Sequence, residues 1–242
     1  MAVFSTFNNR LPDPTFGVND AGAVDGTGYR GPGFAEVTIR SNIPVQVSRT
    51  NSGRGVQTSS GSHNWAIDIN YHPMLREQFD PVASFLELRS RLKPFFVVLP
   101  QYSKPKDPAF ASFVSSNQIV VDGTHPAGSP TLLIDASTNI VGTAKMGDYI
   151  NIVDPANVAH MKAYKIGAVE SNSTYHVDST QPRPDQLRLH LIPPLTRSVS
   201  NGAIVKFINP EFRVVPTTDV VETSLNTDNL YSFRLTLEEI QP

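Results

Sequence analysis

Along residues 64–100 the hydrophobic pattern changes period twice. Trp65, Ile67, Ile69 and Tyr71 alternate with Ala66, Asp68 and Asn70, a period of two that predicts a strand with one apolar face. Asp80-Pro81 then opens a helix, since Asp caps a helix and Pro at the first helical position sacrifices no hydrogen bond. Val82, Phe85, Leu86 and Leu92 form its apolar stripe, and Glu87, Arg89 and Arg91 face water. Lys93-Pro94 stops it, because Pro disfavours helical geometry in the residue before it. Residues 95–99 are a continuous apolar strand. The pattern predicts one helix, 80–92, lying across a sheet, and no other segment reads as good a helix.

The rest of the chain is short strands and turns. Residues 1–34 read as an extended N-terminal arm, stiff at Leu11-Pro12-Asp13-Pro14 and flexible through Gly17, Gly22, Gly26, Gly28, Gly31 and Gly33. Phe4, Phe7 and Phe16 suggest an arm that orders against a neighbouring subunit, since a solvated arm has little use for three phenylalanines. Residues 36–40 and 45–49 are strand candidates, and the Gly/Ser-rich stretch 51–62, with Arg49 and Arg54 about it, reads as a long hairpin tip. After the polar loop 103–108, strands at 119–121, 131–134, 149–153, 161–169 and 186–192 recur between turn residues such as Gly123, Gly128, Gly142 and Gly147-Asp148. That spacing suggests a small closed barrel or sandwich. The turn Ser200-Asn201-Gly202 leads into residues 203–208, and 212–215 and 230–240 return to longer strands that complete the first sheet. The expected organisation is an arm at 1–34, a β-sandwich with one helix from 35–117 plus 204–242, and an inserted small β domain at 118–203.

Composition narrows the function classes. With 242 residues the chain is long enough for one large or two small β domains. A net charge of −2 with 17% charged residues leaves no basic excess for holding nucleic acid. Cysteine is absent, which excludes disulfides and thiolate metal sites and suits intracellular assembly. No apolar run reaches the ~20 residues of a membrane span, and MAVFSTFNNR does not read as a secretory signal. The 20 prolines and 15 glycines fall mostly between candidate strands.

Templates for chemistry find little. His63, His72, His125, His160, His176 and His190 include no HExxH pair, although His176 and His190 could meet across a hairpin. Gly26-Thr27-Gly28 through Gly31 spells GxGxxG but neither follows a strand nor opens a helix. Neither a GxSxG elbow nor a GxxxxGK phosphate loop occurs. Asp68, Glu77 and Asp80 make an unconvincing glycosidase pair, and Asp148 lacks the companion oxygens of a calcium site. Trp65 reads as a core residue under the helix. The expectation is a non-enzymatic chain with no cofactor and no metal.

Three stretches carry a family resemblance: NWAIDINYHPMLREQFDPVASFLELRSRLKPFFVVLP, the middle segments KMGDYINIV, KAYKIGAV and LRLHLIPPL, and the closing FRVVPTTDVVETSLNTDNLYSFRLTLEEI. Together they cover most of residues 36–240, and the chain resembles bacteriophage tail structural proteins, in particular the distal tail (baseplate hub) proteins and their tail-tube-like relatives. The resemblance implies a tail-tube-like β-sandwich flanked by one α-helix, with an inserted small β-barrel or sandwich on the outside of a ring. It implies a hexameric ring that links the tail tube to the distal tail and baseplate. Its partners are then further copies of itself and neighbouring tail proteins, with DNA only passing through the channel. Its place is then the virion tail, after assembly in the host cytoplasm. The Gly-rich stretch 17–33 departs from the family pattern.

Rings of this kind grow by pairing edge strands of adjacent subunits. The expected working surfaces are the arm with Phe4, Phe7 and Phe16, the hairpin around Arg49 and Arg54, and the edge of the closing strand near Phe233. The alternative is a carbohydrate-binding module, with the barrel as binding unit and Tyr149, Tyr164, Tyr175 and Phe207 as its available aromatics.

Overall fold

The computed structural model describes residues 9–14, 17–18, 29–49, 53, 55–59, 63–89, 93–175, 183–218, 224–225 and 230–241. The protein is mainly β, with few helices. In chain order the elements are β1 (Gly17–Val18), β2 (Tyr29–Arg30), β3 (Phe34–Asn42), β4 (Val45–Arg49), β5 (Gly55–Ser59), β6 (Asn64–Tyr71), α1 (Arg76–Arg89), β7 (Phe95–Val98) and α2 (Pro108–Ser116). They continue with β8 (Ile119–Val121), β9 (Thr131–Ala136), β10 (Tyr149–Val153), β11 (Ala163–Ser171), α3 (Asn172–Tyr175), β12 (Gln186–Ile192), β13 (Ile204–Lys206), β14 (Glu211–Pro216), β15 (Ser224–Leu225), β16 (Tyr231–Ser232) and β17 (Arg234–Glu239). The chain divides into two compact units, Met1–Val97 with Val214–Ile240, and Val98–Arg213 with Gln241–Pro242.

The first unit is built on a sheet of order β3-β6-β17-β14-β7. Its central strand β6 pairs antiparallel with β3 on one side, Ile67 opposite Ile39, and with β17 on the other, Ile67 opposite Leu237. Trp65, Ile67, Ile69 and Tyr71 are buried along it, as the period-two pattern predicts. Asp68 is buried as well, on the opposite face. The helix α1 is held by rings: Phe79 stacks on Tyr231 at 4.7 Å and meets Phe233 at 5.8 Å, and Phe85 stands edge-on to Phe95 at 5.3 Å.

The helix begins at Arg76, a turn before the predicted Asp80, and Pro81 lies inside it. Phe79 explains the difference: a large ring buried at that position carries the helix back past the Asp-Pro signal, and tertiary packing outweighs the missing Pro81 N–H. The predicted end, with Arg91 and Leu92, lies outside the described residues.

The second unit contains a closed barrel in which β8-β9-β12-β11-β10-β13 return to β8 through antiparallel pairings. Closure pairs every strand on both sides, so the barrel has no edge. Alternation sets its interior: Leu132, Ile134 and Ala136 of β9 point in, while Thr131, Leu133 and Asp135 are half-exposed. Two expectations are corrected here. Residues 204–206 belong to the barrel rather than to the first sheet, because β13 joins β10 to β8. A second helix, α2, lies within this unit, and its Phe110 and Phe113 are part of the barrel's apolar core, Phe110 edge-on to Phe207 at 5.0 Å.

The start of α2 carries the cap chemistry expected at Asp80-Pro81. Asp107 accepts from Ala109 N at 3.0 Å, and Pro108 occupies the first turn. The Asp107 carboxylate also accepts from Thr143 N at 3.1 Å, and this bond above all holds its carboxyl below the usual range. Gly142 fits under this clamp at φ 74°, where a Cβ would stand 2.6 Å from Phe110 N. Asp148 accepts from Lys106 N at 3.1 Å and Lys145 N at 2.8 Å, so two carboxylates tie the 140s loop to the approach to α2.

Because Phe110 sits in the barrel core, Phe110→Ala is expected to cost about 3–5 kcal/mol. The loss is read as faster amide exchange in β9, β11 and β12, with the β6 and β17 amides unchanged. Equal loosening of β6 would contradict the assignment of α2 to the second unit.

Candidate functional site

The open sheet has two ends, and they differ. At one end lies β3, nine residues long and mostly exposed. Its backbone orientation follows from the ladder. Tyr71 N donates to Phe233 O at 3.1 Å, toward the closing strand, so every second residue of β6, Ile69, Ile67 and Trp65, also turns its amide that way. The β3 residues opposite them, Val37, Ile39 and Ser41, therefore turn both N–H and C=O away from β6, toward the outer edge. Among the described residues no strand pairs with that edge. A register shift at Ala35 marks its start, and from 36 to 42 it carries neither bulge nor proline.

From this edge strand the chain runs on through Ile43-Pro44 into the ribbon β4–β5, which returns to β6. Its register runs from Val45 opposite Ser59 to Arg49 opposite Gly55. The ribbon forms its own two-stranded sheet, and Val47, Ser48 and Arg49 on it are exposed. Val47 is 63% exposed and Ile43 51%, large apolar groups with little covering them in the isolated chain.

The polar face of the sheet is organised around Asp68. Arg40 of β3 donates to Asp68 Oδ2, and Arg234 of β17 lies with Nη2 3.8 Å from Oδ1, so two exposed guanidinium groups flank one buried carboxylate at the strand's centre. Asn70 donates to Glu36 at 3.2 Å and Asn64 to Glu238 at 3.3 Å, extending the polar ladder along β6. Charge is nearly balanced across this face, and it fixes register: a one-residue slip would move Asp68 off both arginines.

The residues expected to form contacts between subunits are distributed as follows. Arg49 is exposed at the end of β4. Phe4, Phe7, Phe16 and Arg54 lie outside the described residues. Phe233 is corrected as an edge residue: β17 lies between β6 and β14, and the ring is buried against Tyr71 at 5.7 Å and Phe79. The arm expectation is also revised in part, because residues 9–11 lie on the first unit's own strand β7.

The candidates for chemistry sit apart. Glu77 and Asp80 are exposed on α1, Asp80 paired with Arg76 at 3.2 Å, while Asp68 is held in β6. His63 bonds Ser41 Oγ at 2.9 Å and His190 meets Glu170 at 3.1 Å, and His176 lies outside the described residues. Among the described residues no group of three or more His, Asp or Glu is placed to hold a metal ion, and no helix is long and apolar enough to cross a membrane. The barrel aromatics Tyr149, Tyr164 and Phe207 are buried in the second unit, so they offer no stacking surface to a sugar.

One histidine is strongly perturbed. His160 is buried, and burial lowers its pKa from 6.5 to about 4 against a smaller opposing pull from Asp154. Its Nε2 meets Tyr164 Oη at 2.9 Å, and that hydroxyl also accepts from Thr196 N at 3.0 Å. Asp154 in turn accepts from Ala156 N and Ser200 N. These bonds tie the loops beside β10 and β12 together, and the sealed imidazole has the setting of a structural group rather than of a general base. No family model matches the chain, and no curated protein matches it.

The His160 shift sets an acid limit for the second unit. The imidazole is neutral when folded and protonates more readily when unfolded, so its contribution is complete above pH 6.5 and is lost as pH falls toward 4. The loss amounts to about 3 kcal/mol. Urea unfolding between pH 7 and 4 is expected to show it, and His160→Gln is expected to flatten that part of the profile. An unchanged slope in the variant would contradict the assignment.

Proposed function

We propose that this protein is a structural component of a bacteriophage tail, a ring-forming subunit at the junction of tail tube and distal tail. The observation that carries the reading is the outer edge of β3, with which no strand pairs among the described residues, continuous with the β4–β5 ribbon. A long edge strand without proline or inward charge is a surface that monomeric proteins protect, and leaving it open suits a chain whose edge is covered by a neighbour. Pairing along the outward groups of Val37, Ile39 and Ser41 would extend the sheet from subunit to subunit. Contacts of this head-to-tail kind close into a ring when the rotation between subunits permits.

The polar face of the sheet supports the same reading. Glu36, Arg40, Asp68 and Arg234 give a nearly neutral, hydrated surface that would line a wet channel without gripping DNA by its phosphates. The resemblance of residues 36–240 to distal tail and tail-tube-like proteins supplies the biological setting, including the tail-tube-like sandwich and the ring of six. A carbohydrate-binding role for the barrel has no exposed aromatic among the described barrel strands to favour it.

The test is the mass of the purified protein by light scattering, for the native sequence and for Val37→Pro. The substitution removes one outward donor and leaves the β6 ladder intact, since the Val37 amide does not face β6. A discrete assembly, near six times the 26.5 kDa chain mass, is expected for the native chain and a shift to monomer for the variant. A native chain that stays monomeric at high concentration would contradict ring formation by self-assembly.

A further inference from the structure

At the other end of the sheet, residues 9–11 lie along β7 as a short parallel addition. Phe96 N donates to Asn9 O at 2.6 Å, and Phe96 O accepts from Leu11 N at 2.8 Å, so both outward backbone groups of Phe96 are satisfied within the chain. Leu11 is only 1% exposed. Arg10 donates to Asp13 from Nε at 3.2 Å and from Nη2 at 2.5 Å, and Gly31 N donates to Asp13 O at 3.2 Å. The seat requires glycine at 31, because a Cβ there would stand 2.3 Å from Pro12 C, 2.4 Å from Pro12 O and 2.5 Å from Asp13 N. These are backbone atoms and cannot swing aside as a side chain would.

We propose that residues 9–13 are a displaceable strap that caps the β7 edge and withholds it from the open β3 edge of a second copy. Without the strap both ends of the sheet would offer backbone groups, and β3 of one molecule would pair with β7 of the next until the ring closes. With the strap seated, joining to a second copy first requires the strap to leave β7, so association is delayed until the incoming strand displaces it. Among the described residues the strap's ladder contact with β7 is the pair Arg10–Phe96, and a strand that pairs along the whole of Phe95–Val98 competes for it. The incoming strand is β3 because it is the long unpaired strand among the described residues, and its outward groups at Val37, Ile39 and Ser41 need partners. The inference rests on the ring reading for the identity of that partner and adds a control on when the second edge becomes available.

The experiment compares the native chain with Gly31→Val and Leu11→Asp, which unseat the strap at different contacts, and with Gly31→Val combined with Val37→Pro. Amide exchange at Phe96 reports the strap, and light scattering across a concentration series reports association. Both single variants are expected to raise Phe96 exchange about tenfold or more, keep the β6 and β17 amides protected, and show growth in mass that begins at lower concentration than in the native chain. Adding Val37→Pro is expected to abolish that growth. The proposal is overturned if Phe96 stays protected in both variants, if it is freed without added growth, or if growth persists with Val37→Pro. The native mass alone reads the ring and the difference between variant and native reads the strap, so each can fail separately.

Discussion

A β-sheet that does not close leaves two rows of backbone donors and acceptors without partners, and this chain meets that constraint in two ways. In the second unit six strands close on themselves, and the requirement disappears. In the first unit the sheet stays open, one end met by the chain's own residues 9–11 and the other ending at β3, with which no further strand pairs among the described residues. The barrel closes within one molecule, whereas the five-stranded sheet is open among the described residues. That asymmetry is the physical basis for reading the first unit as an assembly surface.

The side chains set which backbone groups of β3 face outward. Register across β3, β6 and β17 is held by apolar residues on one face and by the Asp68 carboxylate between Arg40 and Arg234 on the other. Exposed ion pairs contribute little stability singly, but a buried carboxylate with two partners fixes which residues stand opposite one another. The outward alternation of Val37, Ile39 and Ser41 follows from that register, so the polar face and the edge are one structure.

Much of this was legible in the sequence where a single local rule governed. The β6 pattern, the short barrel strands and the 45–49 strand follow from period and turn residues alone. The failures occur where long-range packing decided. Asp80-Pro81 and Asp107-Pro108 carry the same capping signal, yet only the second starts a helix, because burial of Phe79 extends α1 back to Arg76. The α2 signal was present in Phe110 and Phe113, three apart behind that cap. The barrel place of residues 204–206 and the interior place of Phe233 follow from strand pairing, which no single-strand pattern encodes. Asp68 was visible only as an acidic residue, since its two arginines come from strands 28 and 166 positions away. Gly31 looked like one of many loop glycines, and only the backbone of Pro12 beside it explains the residue.

The most direct measurement is amide hydrogen exchange along β3 in the associated and the dilute protein. The account predicts that the amides of Val37, Ile39 and Ser41 exchange freely when dilute and become protected on association, while those of Thr38 and Arg40, which face β6, are protected in both states. Outward amides that still exchange freely in the associated protein would contradict it, because the sheet edge would then not be the surface through which the subunits join.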